Sequence, residues 1–523
     1  MRFSDSAPNE QSTNKAVAME FNEVRNEVEY EEILEKIGFG KTQWLLLFIS
    51  GLMILNSISA QQSVGIIVIA SQCEFSTNQS EKGIMLAACV AGIFVSTYLW
   101  GYVCDAFGRR RVLLYALFLT NFLEILTMFI TNVWAFNVVN FFIGINIGGV
   151  SASMYAYLSE FNVNKYRAIV INYSNMFVSI AGIYVPAVSW LVLHHNWSLA
   201  IFDGFVFRPW RLIMLFSALP GFIAALLLLI YPESPKLLLA QQKEKEAEEA
   251  INWICKFNKH CTVTSLLENR DYKLKPELSA AEDVLSTRNG CGIFVSIWKA
   301  TLPLGHKPHR KNFLISIVVV LGLFFCSSGM QMWFPEIANR TSVQTEGNVS
   351  TVCEVLDASF KQQSLTANLS SNDVACDDTI AVKTYVDNII VGCVFLIGFI
   401  LQGPLLKVFG NKIVIYTTLI IGFISGVLLH FVSNKILLLV VFCFYIILPG
   451  LSISVMLATV VELVPTHLRA KAVAICLTFG RLGIMIATNL IGAMLEPLCN
   501  TTFAIFTCVM LACGVLLRFL PIK

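Results

Sequence analysis

The chain has 523 residues, of which 56% are apolar and only 14% carry a charge, with a formal net charge of +2. Soluble domains contain about 25% charged residues, so this composition indicates a protein whose exterior also contacts lipid. The small net charge argues against a nucleic-acid-binding surface, which needs a strong basic excess. The sequence has no phosphate-binding loop, metal-ligand cluster or catalytic constellation, so we expect neither an enzyme nor a cofactor.

The first 41 residues are predicted to form a cytosolic segment. Residues 1–26 have the composition of a disordered chain. Apolar residues then recur at helical spacing before Gly38, namely Tyr30, Ile33, Leu34 and Ile37. This spacing predicts a short amphipathic helix that Gly38 ends. We expect that helix to be solvated, without a packing partner.

Twelve long apolar runs follow. They occupy residues 42–70, 82–104, 112–132, 135–158, 168–193, 210–231, 312–337, 385–406, 413–432, 436–461, 471–495 and 502–520. Each run is long enough, as a helix, to cross a hydrocarbon core of about 30 Å. The sequence therefore predicts an all-α membrane protein with twelve transmembrane helices, numbered here as spans 1 to 12.

Basic residues in the short loops predict the orientation of these spans. One side holds Arg109, Arg110, Arg111, Lys165, Arg167, Lys407, Lys412, Arg469 and Lys471. The opposite short loops hold only Lys435. Because cytosolic loops are rich in Lys and Arg, we expect both termini in the cytosol. Residues 42–231 then form an N-terminal half, 232–311 a cytosolic linker and 312–523 a C-terminal half.

The loop between spans 7 and 8, residues 338–384, falls on the lumenal side in this topology. It carries three N-x-S/T acceptor sequences, at Asn339, Asn348 and Asn368, and is predicted to be glycosylated. It also contains Cys353 and Cys376. An oxidising lumen would favour a disulfide between these two cysteines; two free thiols are the alternative.

The two halves contain matching segments. Glu160 precedes Arg167 by seven residues after span 4, and Glu462 precedes Arg469 by seven residues after span 10. The loop after the second span of each half also matches, as GYVCDAFGRRR and GPLLKVFGNK. Two six-span halves with matching loops indicate a transporter built from parallel repeats.

The first of these loops resembles the loop 2–3 signature of the major facilitator superfamily. Similar motifs are PESPKLLL after span 6, Trp210-Arg211 before it and Gly480-Arg481-Leu482-Gly483 in span 11. YEEILEKIGFGKTQW before span 1 and MWFPE after span 7 resemble the synaptic vesicle glycoprotein 2 group and its organic-ion transporter relatives. The resemblance implies a carrier whose two six-helix halves rock about a central site.

The sequence departs from that family at positions where ion coupling is expected. Ser57 and Ala60 stand in span 1 where relatives have carboxylates, and Asn140 stands in span 4 where many members have arginine. Lys407 replaces the acidic residue of the second-half loop. The resemblance therefore supports the fold more strongly than it supports proton coupling.

Charged residues at the cytosolic ends of the spans are candidate gating residues. They are Asp105, Arg109, Arg110, Glu160, Arg167, Glu462 and Arg469. Our hypothesis is that contacts among them hold the cytosolic gate shut and break as the halves rock. The alternative is that the basic residues only fix the topology.

Polar residues inside the spans are candidate solute-binding residues. Arg481 is the strongest, because a buried guanidinium needs an anionic partner; a structural ion pair or snorkelling to the interface is the alternative. The other candidates are Asn56, Ser59, Gln62 and Ser63 in span 1, Glu124 in span 3, and Gln331 and Trp333 in span 7. The alternative role for the span 1 residues is to join helices by hydrogen bonds.

Two functions remain open from the sequence. The first is a monomeric carrier of a small organic solute (organic ion, zwitterion or sugar-like), with or without a co-transported ion. The second is a vesicle or surface glycoprotein that transports weakly or not at all and acts through protein interactions. The predicted topology fits the plasma membrane and intracellular vesicles equally well.

Overall fold

The computed structural model describes residues 27–195, 197–202, 205–267, 273–275, 310–343, 351–369, 378–464 and 468–521. Spans 1 to 6 are the helices Lys41–Ala70, Gln79–Phe107, Arg109–Thr127, Val133–Glu160, Asn164–Leu193 and Trp210–Leu228. Span 7 consists of Arg310–Phe324, a π-helical turn Phe325–Gly329 and Met330–Val343. Val382–Leu428 contains spans 8 and 9, and spans 10 to 12 are Lys435–Leu463, Arg469–Met494 and Cys499–Leu517.

These helices confirm the predicted twelve crossings. Among the described residues, ten helices are long and apolar enough to cross a membrane. One of the ten, Val382–Leu428, has a non-helical residue at Gly410 and therefore provides two crossings. The remaining crossing is span 3, Arg109–Thr127, whose three leading arginines lower its hydropathy.

Glycines with positive φ angles link the second and third spans of each half. Gly108 has φ 103° between spans 2 and 3, and Gly410 has φ 75° between spans 8 and 9. Only glycine adopts such angles without a steric penalty. The two glycines occupy the same place in the matching loops, so the sequence repeat is also a repeat of backbone conformation.

Asparagine side chains begin several spans. Asn132 Oδ1 accepts hydrogen bonds from the backbone of Trp134 and Ala135, and Asn434 caps span 10 in the same way. Asn78 and Glu81 form a reciprocal capping box at the start of span 2. These caps satisfy N–H groups that a helix leaves unpaired, and all three lie at the end of the bundle opposite the arginine-rich loops. We call that end the far end, and the end that carries Arg109, Arg110, Arg167 and Arg469 the basic end.

The two halves approach each other closely where glycines face one another. A Cβ added to Gly392 in span 8 would lie 2.7 Å from the Gly182 carbonyl in span 5. Near the far end, a Cβ on Gly492 in span 11 would lie 3.1 Å from the Gly83 Cα in span 2. Side chains at these positions would push the halves apart, so the glycines set the distance between them.

The N-terminal helix, Tyr30–Ile37, is docked rather than solvated, so our expectation that it lacks a partner was wrong. Its apolar residues are buried, with Ile33 at 0% exposure, and the Tyr30 hydroxyl donates to the Glu160 carbonyl over 2.9 Å. They join a hydrophobic cluster that includes span 1 and the linker helix Glu244–Lys259. Strand β1, Glu27–Val28, also pairs in parallel with β4, Lys273–Leu274, in the linker. The N-terminal segment and the linker therefore form a cap on the basic end of the N-terminal half.

The far end carries two additional elements. A hairpin of β2, Leu199–Phe202, and β3, Phe205–Phe207, connects spans 5 and 6. A helix between spans 7 and 8, Val352–Leu369, packs through Leu356 and Phe360 against the C-terminal half.

The predicted Cys353–Cys376 pairing was wrong, because Cys353 forms a disulfide with Cys499 at the start of span 12. Their Cα atoms are 5.6 Å apart, although 146 residues separate them in sequence. Cys376 lies outside the described residues, and Cys73 is also in a disulfide.

Asn339 does not fit the predicted role of glycosylation acceptor. Its side chain is only 9% exposed within span 7. Its Oδ1 accepts from the Ala381 backbone and the Thr384 hydroxyl, and its Nδ2 donates to the Thr379 carbonyl. A glycan on this amide would break these contacts. Asn368 lies on the helix Val352–Leu369, and Asn348 lies outside the described residues.

Candidate functional site

The predicted gating residues of the N-terminal half form a connected network at the basic end. Arg109 pairs with Glu160 across spans 3 and 4 at 2.5 Å, and with Asp105 at 3.4 Å. The second Glu160 oxygen accepts from the Ser234 hydroxyl. Glu160 is 6% exposed, so its charge is compensated by a guanidinium and a hydroxyl together.

Glu233 is a member of this network that sequence reasoning missed. Its carboxylate accepts from the backbone N–H of Arg110 at 2.8 Å and of Arg111 at 3.4 Å, at the N-terminus of span 3. A helix N-terminus favours an anion there. The Arg110 guanidinium reaches the carbonyls of Leu228 and Leu229 at the end of span 6. The available signal in the sequence was the place of Glu233 in the motif PESPKLLL after span 6.

In neither repeat does the glutamate form an ion pair with the arginine seven residues after it. Arg167 donates to the carbonyls of Ser159 and Asn162 and pairs with Glu31 of the N-terminal helix at 3.4 Å. In the second half, Arg469 donates to the Val464 carbonyl, and Glu462 accepts from Asn411. These contacts all connect elements within one half, so in this conformation they brace the basic end of each half.

The polar residues of span 1 face the interior of the N-terminal half. Asn56, Ser59 and Ser63 are all 0% exposed. Asn56 Nδ2 donates to the Ser217 carbonyl of span 6 at 3.0 Å, and Ser63 lies 4.0 Å from the Met214 sulfur. This geometry favours the alternative that they join helices. Gln62 is half-buried.

Glu124 also lies inside the N-terminal half rather than in an open cavity. It is 0% exposed, and its Oε2 accepts from Asn56 Nδ2 at 3.4 Å. Asn121, one turn earlier in span 3, is equally buried. Gly221 of span 6 has no side chain, and the amides of Asn56 and Asn121 lie against it. A Cβ at this position would lie 2.4 Å from Asn121 Oδ1.

Of the two predicted site residues in span 7, Trp333 is buried and Gln331 is partly exposed. Trp333 is 0% exposed and donates from Nε1 to the Thr488 carbonyl of span 11 at 3.0 Å, which makes it a packing residue. Gln331 is half-buried, just beyond the π-helical turn Phe325–Gly329. π-helical turns inside membrane helices frequently mark functional sites.

Arg481 lies near the middle of span 11 and bridges the halves. From span 11 its guanidinium donates to the Thr97 hydroxyl in span 2, and to the Ser151 hydroxyl in span 4 at 3.3 Å. Within the part of the chain that the structure describes, no carboxylate lies within ion-pair distance of it. Neutral hydroxyls thus hold a cation inside the membrane, where an anion would satisfy it better.

A buried ion pair joins the halves at the far end, and sequence reasoning missed it. Lys82 of span 2 contacts Glu336 of span 7 at 2.8 Å, with side-chain exposures of 0% and 4%. Arg340 is a second cation on the same carboxylate, also at 2.8 Å, and Lys82 also donates to Gln72. Both residues of the pair lie at the edges of apolar runs, and Glu336 is the last residue of MWFPE.

A second ion pair crosses the halves nearby. Arg208, just before span 6, contacts Asp378, just before span 8, at 3.2 Å. Its neighbour Arg211 is 0% exposed and pairs with Glu74, which also accepts from the Trp210 indole N–H. Among the described residues, two ion pairs and the contact between Gly83 and Gly492 therefore join the halves at the far end.

Comparison with known proteins gives matches in sequence and in fold. The family model for the Major Facilitator Superfamily matches residues 44–351. Synaptic vesicle glycoprotein 2B from Homo sapiens is 26% identical over 321 residues, covering 59% of this chain and 47% of that protein. Synaptic vesicle glycoprotein 2C from Mus musculus is 26% identical over the same length, covering 44% of that protein. The chain thus matches less than half the length of these relatives.

Solved structures share the fold across nearly the whole chain. The xylose transporter XylE from E. coli, in a partially occluded inward-open conformation, superposes with a TM-score of 0.64 at 16% identity. The match covers 92% of this chain and 100% of that one. The proton:xylose symporter XylE bound to 6-bromo-6-deoxy-D-glucose matches with a TM-score of 0.62 at 17% identity. At these identities the likeness concerns the fold.

Proposed function

Because the chain belongs to the major facilitator superfamily, whose model matches residues 44–351, we propose that it carries a small organic solute across the membrane by alternating access. In this mechanism the two six-helix halves rock around a central site and expose it to each side in turn. The gating networks at the basic end and the ion pairs at the far end are then the contacts that change between states.

Arg481 is the observation that supports a particular class of solute. It is a cation near the middle of span 11, it spans the boundary between the halves, and the partners described for it are hydroxyls. A solute with a carboxylate or another anionic group would complete this site with a charge-assisted, bidentate contact. We therefore propose an organic anion or a zwitterion as the substrate.

The conformation supports a carrier that is closed at the far end. Two ion pairs among the described residues close that end, whereas the contacts described for the gating residues at the basic end all lie within one half. Basic loops face the cytosol in membrane proteins. The structure then corresponds to the state that faces the cytosol, and the Glu160 and Glu462 networks are proposed to exchange partners between halves when that side closes.

Uptake into proteoliposomes tests this proposal. A panel of radiolabelled monocarboxylates, amino acids and neutral sugars is offered with and without a pH gradient. We expect saturable uptake of a carboxylate-bearing solute, and at least a tenfold loss of uptake in Arg481→Gln, about 1.4 kcal/mol or more in binding. Arg518→Gln is the matched control, because Arg518 is exposed at the end of span 12. The pH gradient separates uniport from proton coupling.

Two results would contradict the proposal in different ways. Saturable uptake of a neutral sugar that is unchanged in Arg481→Gln would remove the anion requirement. Absence of saturable flux for the whole panel would favour the non-transporting glycoprotein.

We also propose the orientation in the membrane and the glycosylation sites. With the basic end in the cytosol, both termini are proposed to be cytosolic. The N-x-S/T sequences at Asn348, Asn368 and Asn500 are proposed to lie on the lumenal or exterior side. A glycosidase-sensitive mobility shift that disappears when these asparagines are changed to glutamine is expected. A shift that depends on a site at the basic end would reverse the orientation.

A further inference from the structure

A cavity of about 580 Å³ at the far end lies between the two halves. One wall comes from spans 5 and 6 and the hairpin between them, including Trp190, Trp197 and Val206. The other wall comes from the start of span 8, including Val382 and Tyr385. The volume lies within the range of about 300–1,000 Å³ that is typical of sites for small organic molecules.

Four of the fifteen residues that line the cavity are tryptophan or tyrosine, and contacts outside the cavity fix two of these rings. Trp197 stacks on Phe207 with an interplanar angle of 15°. The Trp210 indole donates to Glu74 at 3.0 Å. Trp190 and Trp197 remain 37% exposed. Rigid rings with an open face suit stacking against a flat ligand.

The charges in the cavity compensate each other. Arg208 and Asp378 line it and pair across the halves at 3.2 Å, each with 35% of its side chain exposed. His194, Ser198 and Thr379 add further hydrogen-bonding groups. A charged ligand would therefore have to displace one member of an existing pair, whereas a neutral ligand with a hydrogen-bonding group need not.

We propose that this cavity binds a neutral, flat aromatic molecule and that the bound molecule holds the far end closed. Because residues of both halves contact the ligand, the ligand binds the closed far end more tightly than the open one. A ligand with such a preference shifts the population toward the state that it favours. This site is separate from Arg481, and its occupation does not depend on whether the protein transports a solute.

Photolabelling in nanodiscs tests the site. The probe is 4-benzoylbenzamide, a neutral benzophenone, with biphenyl-4-carboxamide as competitor, and adducts are mapped by mass spectrometry. We expect saturable, competable adducts in the segments around Trp190 and Val382. Val206→Trp, which fills the cavity, should weaken this labelling about tenfold. Leu199→Trp is the matched control, because Leu199 is 58% exposed on the paired strand and does not line the cavity.

Val382→Trp fills the cavity from the C-terminal half. This variant replaces Val206→Trp in the test if Val206→Trp does not fold. Labelling that cannot be saturated, or that persists in both filled variants, would overturn the site and show that the tryptophans only anchor the protein at the membrane interface.

The distance between spin labels at Ser80 and Glu496 tests the second part of the proposal, that the ligand holds the far end closed. Biphenyl-4-carboxamide should reduce the open population of the far end, and saturable labelling without this change would overturn the closing effect.

Discussion

Replacing Lys82 with methionine removes the ammonium group that joins the halves at the far end but keeps a side chain of similar length. In the closed conformation Glu336 retains Arg340 at 2.8 Å, so one charge-assisted hydrogen bond between the halves is lost, about 1.5–3 kcal/mol. In an open conformation Lys82 is hydrated, and its removal changes little. The substitution should therefore shift the ratio of open to closed far ends roughly 10- to 150-fold toward open.

Double electron–electron resonance measures this shift directly. Spin labels on non-natural amino acids at the exposed positions Ser80 and Glu496 report the separation of the halves at the far end. Lys243→Met is the matched control, because Lys243 forms a surface pair with Glu246 at 3.9 Å, with exposures of 43% and 56%, and such pairs contribute about 1 kcal/mol or less. Equal distance distributions in Lys82→Met and Lys243→Met would refute a closing role for the Lys82–Glu336 pair.

Three further predictions concern stability and covalent structure. Ile33→Ala should destabilise the protein by about 2–5 kcal/mol, because Ile33 is 0% exposed in the docked helix; thermal unfolding measures this. Gly221→Ala places a methyl group within 2.4 Å of an amide oxygen and should cost about 1–3 kcal/mol, whereas Gly514→Ala, with nothing within 4 Å, should gain up to about 1 kcal/mol. Non-reducing peptide mapping should recover a peptide that links Cys353 to Cys499.

Each of these predictions has an outcome that contradicts it. An unchanged melting temperature in Ile33→Ala would mean that the N-terminal helix is undocked in the membrane. Equal effects of the two glycine substitutions would remove the close packing at Gly221. A linkage between Cys353 and Cys376 would restore the pairing expected from their common loop.

The spans were predictable because lipid contact imposes a signal that depends only on local composition. The twelve apolar runs correspond to the twelve spans. Gly108 and Gly410 lie in the loops that the repeat predicts to match. The docking of the N-terminal helix was not predictable in the same way. Its partner helix, Glu244–Lys259, lies more than two hundred residues later, and a helical periodicity identifies an apolar face without identifying what covers it.

The contacts between the halves were the hardest to predict, since each of them joins two residues that lie far apart in the sequence. Lys82 and Glu336 are 254 residues apart, and each alone looks like an ordinary charge at the membrane interface. The pairing of Cys353 failed for the same reason, because a cysteine in the same loop looked like the natural partner. Arg481 was found because an intramembrane arginine is conspicuous by itself.

The facing glycines have a mechanical consequence. Gly83 and Gly492 meet at the far end, and Gly182 and Gly392 meet deeper in the bilayer, so the backbones of the two halves touch at two depths. The deeper contact is the natural fulcrum, because the halves can tilt about it without separating there. The contact at the far end lies away from that fulcrum, so it has to part whenever that end opens.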